Sequence, residues 1–397
     1  MTKIVSWVLF AAALFSAYNS TTALTEVSGY DFSIYYYAAK WFTTSTGDGA
    51  FPVVYQGTVP FLMPFTYFDI KSAFFLYSIV NLVATFVLFL YLSKKLGMNW
   101  NLKAPDLETL YVAIGLFIFV STSPVHIVLK TGQISMMAYF LYIYSILGNF
   151  TFLRIVALGS CVAMKFSLFT LLVPLMFVKK QRLVVFWGMI VFCILSLFPL
   201  LFHFDPWENL AQYGKAIRTK TAMIGGYDTY GASPNFTFLH FDFFKNNAIN
   251  LIGKGIFIIL GLIILHRESK NPSVFSLQAL VALSCITMEL SYHRVYDLCF
   301  VMAALAIGVT YFLKEKEYKK LAMYAFLMCG CFCIFRLFFG AHASIAIGQF
   351  IGENSWIYLC SKGQTYLNFP SYAVMMVFLT LWTSYHYLKT PSMRAAD

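Results

Sequence analysis

The stretch AFFLYSIVNLVATFVLFLYL, Ala73–Leu92, runs for twenty residues without a charge. A hydrocarbon core of about 30 Å is crossed by roughly 20 helical residues, so this run has the length and composition of a membrane span. Predominantly apolar runs recur on both sides of it, at Ile4–Leu24, Leu183–Phe202, Asn250–Leu265, Ser276–Leu290, Leu298–Leu313, Leu321–Phe339 and Tyr372–Leu388. Leu110–Val125 and Ile134–Leu147 are shorter runs of the same kind. Runs this long and this uniform exclude strands that alternate between two faces.

The whole composition agrees. Of 397 residues, 60% are hydrophobic and 11% are charged, against about 25% charged in soluble domains. That is too little charge to cover a water-facing surface. The net charge of +11 does not point to nucleic acid, because the Lys and Arg residues sit in short clusters at the ends of apolar runs. Cytoplasmic loops collect them in that way. The eight cysteines lie mostly inside apolar runs and show no spacing of a metal site or disulfide framework. Lys3 precedes the first run, which is longer than a usual signal core and reads as an uncleaved first helix.

With the N-terminus in the cytoplasm, the clusters Lys94/Lys95/Lys103, Arg267/Lys270, Lys314–Lys320 and Lys389/Arg394 all fall inside. The stretch Ile155–Val178 must then begin at Arg154 and end at Lys179, Lys180 and Arg182 on the same side. A single crossing would invert every later loop. A re-entrant hairpin broken around Lys165 would not, provided that its irregular backbone is buried or lines a cavity. The expected fold class is therefore all-α, a polytopic transmembrane helical bundle of about ten spans plus a re-entrant hairpin, with interfacial helices on the outer face. Residues 1–397 read as a single integral membrane domain, and the loops 25–71, 203–249 and 340–369 face outward. Both termini are expected to be cytoplasmic, in a bacterial plasma (inner) membrane, with the functional face outside.

Charged groups in or beside hydrocarbon are costly, so each is a functional candidate. Asp31 follows the first run and precedes the aromatic stretch Phe32-Ser33-Ile34-Tyr35-Tyr36-Tyr37, which suits a helix resting at the interface. It is placed either to take a proton from a hydroxyl at the bilayer surface or simply to cap the next helix. Gln133 reads as the start of a helix with Lys130 just before it; a helix N-terminus suits phosphate, while a lysine there also serves as an interfacial anchor. Lys165 stands in an apolar stretch with no acidic residue within a helical turn. Glu289, His293, Arg294 and Asp297 crowd one short segment between apolar runs. Arg294 suits a phosphate clamp; alternatively the four satisfy one another in a polar turn. Gly225–His240, with Ser233 and Asn235, mixes aromatics and small polar residues as a carbohydrate-facing surface does.

In their order these features resemble the polyprenyl-phosphate-sugar-dependent glycosyltransferases of the GT-C superfamily, above all glycosyltransferase family 87. The resemblance rests on Asp31 followed by Tyr35, Tyr36, Ala38 and Ala39; on Gly49, Tyr55, Pro60 and Pro64; on Gly132 and Gln133; on Lys165 ahead of Pro174; and on the pair Lys179 and Lys180. It departs from the family where adjacent prolines often follow the Tyr, since Pro60 and Pro64 are separated. The resemblance implies that Asp31 is the catalytic base, activating an acceptor hydroxyl against the anomeric carbon of a lipid-phosphate sugar. Lys165, Arg294, His293 and Lys130 are then expected around the donor phosphate, supported by Tyr35, Tyr36, Gln133, Asp297 and Glu289. Tyr55, Ser233 and Asn235 are expected on the acceptor or sugar side. The expected reaction moves a hexose, mannose or similar, to a lipid-linked or cell-envelope glycan, with membrane lipids as surroundings, no nucleic acid partner, no cofactor and no assigned metal. A surface-polysaccharide polymerase or ligase is one alternative. A secondary transporter or flippase is another, but no pair of equivalent interrupted helices is visible.

Overall fold

The computed structural model describes residues 2–21, 29–44, 55–202, 205–225, 247–269, 277–290, 298–332 and 371–389, and within these the chain is helical. The helices are α1 (Thr2–Ser20), α2 (Tyr30–Thr44), α3 (Val59–Leu62), α4 (Ile70–Lys95), α5 (Leu107–Val120), α6 (Ser123–Thr131), α7 (Ser135–Leu147) and α8 (Thr151–Met164). They continue as α9 (Leu172–Met176), α10 (Arg182–Ser196), α11 (Pro206–Gly225), α12 (Asn247–Ser269), α13 (Leu277–Leu290), α14 (Cys299–Lys314), α15 (Tyr318–Phe332) and α16 (Ser371–Lys389).

The uncharged run Ala73–Leu92 forms the body of α4, whose ends are set by local chemistry. Asp69 caps it, its carboxylate accepting from the backbone N–H groups of Lys71 and Ser72 at 3.0 and 3.1 Å. Lys94 and Lys95 occupy its last turn. An acid at the start and cations at the end both complement the helix dipole. Asp106 caps α5 in the same manner, accepting from the Thr109 amide at 2.8 Å and the Thr109 hydroxyl at 2.7 Å.

Among the described residues two helical segments, Ile70–Lys95 and Arg182–Phe202, are long and apolar enough to cross a membrane. A third qualifies if α5 and the α6 portion Pro124–Thr131, bent by 65°, count as one broken span. This differs from the expected ten or so. Helices α7 and α8 hold 13 and 14 residues, about 20 Å at 1.5 Å per residue, and so cover only part of the core. The expected span Leu110–Val125 is also corrected. Its helix stops at Val120, and a second helix with Pro124 in its first turn leaves at an angle, as proline favours.

Lys165 interrupts the helix as expected. Helix α8 ends at Met164, Lys165 is extended (φ −141°, ψ 92°), and a 3-10 turn over Phe166–Leu171 leads into α9. The two ends of the stretch meet. Arg154 donates to the Ser145 carbonyl at 2.8 Å and to Oε1 of Gln181, while Gln181 donates to the Ile146 carbonyl at 3.2 Å. The chain therefore leaves the α7–α8 turn and returns to it. Helices α8 and α10 pack directly on each other. A Cβ at Gly159 would stand 2.5 Å from Val191 Cβ and 2.6 Å from the Gly188 carbonyl oxygen. Small residues bring backbones this close where lipid gives apolar faces little reason to associate.

Basic groups gather at this end. Lys95 donates to Asn149 at 3.2 Å in the α7–α8 turn, Lys314 pairs with Glu108, and Arg267 donates to the Tyr387 and Leu388 carbonyls. Helix α11 fills the first part of the expected loop 203–249. The remainder, 226–246, and the loop 340–369 lie outside the described residues.

Candidate functional site

Asp31 stands in the first turn of α2, half-buried, where a carboxylate is favoured by the helix dipole. The helix is held by one face. Phe32, Tyr36, Ala39 and Phe42 are buried at helical spacing and pack with Val59, Leu62, Phe74 and Tyr77. Its polar groups are anchored as well. The Tyr36 hydroxyl donates to the Phe68 carbonyl at 2.8 Å, and the Gly29 N–H donates to the Lys130 carbonyl at 2.7 Å. The Tyr35 hydroxyl donates to Oε1 of Gln133 at 2.7 Å.

The segment that receives α2 is the turn between α6 and α7. Gly132 closes α6 with φ +72°, and the Gln133 N–H donates back to the Val128 carbonyl at 3.0 Å, a left-handed helix C-cap. A Cβ at Gly132 would lie 2.6 Å from Phe32 Cβ. The expectation that Gln133 opens a helix is therefore corrected. Helix α7 begins at Ser135, and Lys130 stands in the last turn of α6 rather than ahead of a helix N-terminus. Gln133 is buried and acts as a junction. It accepts Tyr35 of α2 through its side chain and the Asn81 amide of α4, at 3.0 Å, through its carbonyl.

Lys165 arrives at the same turn from the other side. Its Nζ donates to the Ser135 hydroxyl at 3.0 Å, two residues beyond Gln133. The Thr58 hydroxyl bonds the Ala163 and Met164 carbonyls at 3.2 and 3.1 Å, satisfying the broken end of α8. Residues 132–135 thus join the Asp31 helix to the Lys165 break. Glu289 lies on α13, which packs on the 3-10 turn after Lys165; it is fully buried, and among the described residues neither carboxylate oxygen has a hydrogen-bond partner.

Tyr55 reaches the same break, its ring 5.1 Å from that of Phe166, the residue after Lys165. It is 6% exposed, stacked on Phe192 and edged by Tyr213, with its hydroxyl 2.6 Å from that of Ser196. The expected residues Ser233, Asn235, His293, Arg294 and Asp297 lie outside the described residues. No group of three or more metal-ligating side chains occurs among the described residues.

Sequence reading missed Tyr77, Asn81, Ser135 and Thr58. A signal existed for the first two: Tyr77, Asn81 and Thr85 recur every four residues on an apolar helix, a polar stripe on one face.

No curated protein and no solved structure matches the chain. Residues 57–339, well over half of the chain, match glycosyltransferase family 87; this span contains Lys165 and residues 289–297 and begins after Asp31. With the helical membrane architecture and the junction just described, the chain belongs to glycosyltransferase family 87 and is a glycosyltransferase.

Proposed function

We propose that the protein transfers a hexose from a polyprenyl-phosphate sugar to a lipid-linked or cell-envelope glycan at the outer face of a bacterial plasma membrane. On this reading the bundle crosses the bilayer about ten times, and its basic end faces the cytoplasm. Asp31 is the catalytic base. It accepts the proton of an acceptor hydroxyl as that oxygen attacks the anomeric carbon. The bond from that carbon to the phosphate oxygen breaks, and its electron pair leaves with the polyprenyl phosphate. Lys165 meets the charge that develops on the departing phosphate; Arg294, His293 and Lys130 are assigned to the same phosphate. Gln133, Tyr35 and Tyr36 hold the helix of Asp31 in place, and Glu289 and Asp297 support the basic groups. Tyr55, Ser233 and Asn235 are assigned to the acceptor or sugar side.

The observation that carries this reading is the hydrogen-bonded turn 132–135, which Tyr35 reaches from the Asp31 helix and Lys165 from the hairpin break. An apolar cavity of about 650 Å³ supports a lipid donor. It is lined by Phe169, Leu172, Met176 and Phe177 of the segment that begins at Lys165, and by Val185, Phe186 and Met189 of α10, with Arg182 at its basic end. A phosphate at Lys165 would have room for its hydrocarbon chain beside the same segment.

The test is transfer by the purified protein in proteoliposomes, offered a panel of labelled polyprenyl-phosphate hexoses and nucleotide sugars with an envelope-glycan acceptor. Label should pass from one lipid-phosphate donor to the glycan, releasing free polyprenyl phosphate. Direct use of nucleotide sugars, or substrate-dependent ion flux without transfer, would overturn the reading.

A further inference from the structure

Tyr77 carries a hydroxyl that the junction just described does not use. It is fully buried on α4, and among the described residues that hydroxyl has no hydrogen-bond partner. Phenylalanine would fill the same space without stranding a polar group away from water. The ring is held from three sides, by Phe32 at 4.7 Å, Phe65 at 5.5 Å in an edge contact, and the rest of the aromatic cluster around Phe74. The Phe32 ring that packs on Tyr77 comes from the first turn of α2, which also bears Asp31.

The other titratable groups around α2 are placed differently. On α2 itself, Tyr35 and Tyr36 already donate, to Gln133 and to the Phe68 carbonyl, while Tyr37 is 59% exposed and Lys40 is exposed. Helix α6 contributes Lys130 and His126, both half-buried, and His126 is hydrogen-bonded to Ser20. The 3-10 turn Met63–Tyr67 contributes the exposed Tyr67, and α4 also bears the exposed Lys71. Helix α3 and the turn Phe198–Phe202 contribute none.

We infer that Tyr77 is a positioning residue for the base: its phenol O–H donates to the Asp31 carboxylate when that side chain turns inward under bound substrate, keeping the carboxylate ionised and oriented until it takes the acceptor proton. A hydrogen bond to the charged form of an acid favours that form. The inference rests on the reading of Asp31 as the base.

The experiment compares the pH dependence of kcat, at saturating donor and acceptor, for lipid-phosphate-sugar transfer in the wild type, Tyr77→Phe, and a protein with 3-fluorotyrosine at position 77. Asp31→Asn is run in parallel. In Tyr77→Phe the acidic limb should move up by about one pH unit, with KM for the donor and the high-pH plateau nearly unchanged. Fluorotyrosine, a more acidic donor, should move the limb down. Superimposable profiles, or a uniform fall at every pH, would overturn the role of Tyr77 while leaving the base intact. If Asp31→Asn keeps both the rate and the acidic limb, the base reading falls and this inference with it.

Discussion

Gly132 and Phe32 approach so closely that a Cβ on the glycine would stand 2.6 Å from the Cβ of Phe32, and the glycine is held at φ +72°. Two constraints therefore meet at one residue: a left-handed backbone that L side chains enter at a cost, and a docking surface with no spare volume. Gly132→Ala should destabilise the protein by about 1–3 kcal/mol. It should also lower transfer more than its melting temperature implies, because the helix displaced is the one that bears Asp31. Thermal unfolding in detergent beside an initial-rate assay checks both.

Lys165 sits at a break that Thr58 caps and Ser135 receives. Removing a cation that meets developing charge on a leaving group costs about 10²–10³ in rate. Lys165→Met should lose that much kcat, with little change in melting temperature because the side chain is half-buried. Ser135→Ala should cost less than Lys165→Met, since it removes only the group that steers the ammonium. Rates at saturating donor separate the two.

Arg154 and Gln181 are hydrogen-bonded across the ends of the segment that Lys165 interrupts. Single cysteines at Thr151 and Lys179, in a cysteine-free background, should both react with a membrane-impermeant thiol reagent from the cytoplasmic side. A cysteine at Asp69, at the opposite end of α4, should react from the other side. Labelling of Thr151 and Lys179 positions from opposite faces would contradict the hairpin.

The helical membrane class was legible because so little charge is spread so unevenly, and the break at Lys165 because a lone cation divides two apolar runs. The bend after α5 was not, although Pro124 marked it; a hydropathy run continues through a proline-started helix without a sign. Gln133 reads as a helix start from its place before an apolar run, yet glycine after a periodic segment, as at Gly132, more often ends a helix. The stripe of Tyr77, Asn81 and Thr85 is visible along α4, but nothing local ties Tyr77 to α2. The meaning of Tyr77 depends on α2 docking across α4, which is a long-range contact. Helix α11 is too polar overall to show as an apolar run, so hydropathy alone leaves it in the loop 203–249.

The Asp106 carboxyl is held below the ordinary carboxylate range by the Thr109 amide and hydroxyl that it accepts from at the start of α5. A depressed value in the folded state means that the stabilisation is complete above the unfolded value near 4 and is lost as pH falls through the lower folded one. Asp106→Ala should therefore lower stability by about 1 kcal/mol at neutral pH. The difference from wild type should shrink as the pH drops below that range, and transfer by the folded protein should stay the same. Melting temperatures across an acid series measure it.

The central claim is that Asp31 removes the acceptor proton. Its most direct test is the single-turnover rate of hexose transfer from prebound polyprenyl-phosphate sugar in Asp31→Asn, an exchange that keeps shape and removes basicity. The rate should fall by about 10²–10⁴ while donor affinity stays near that of the wild type. An asparagine variant that transfers at close to the wild-type rate would contradict the account.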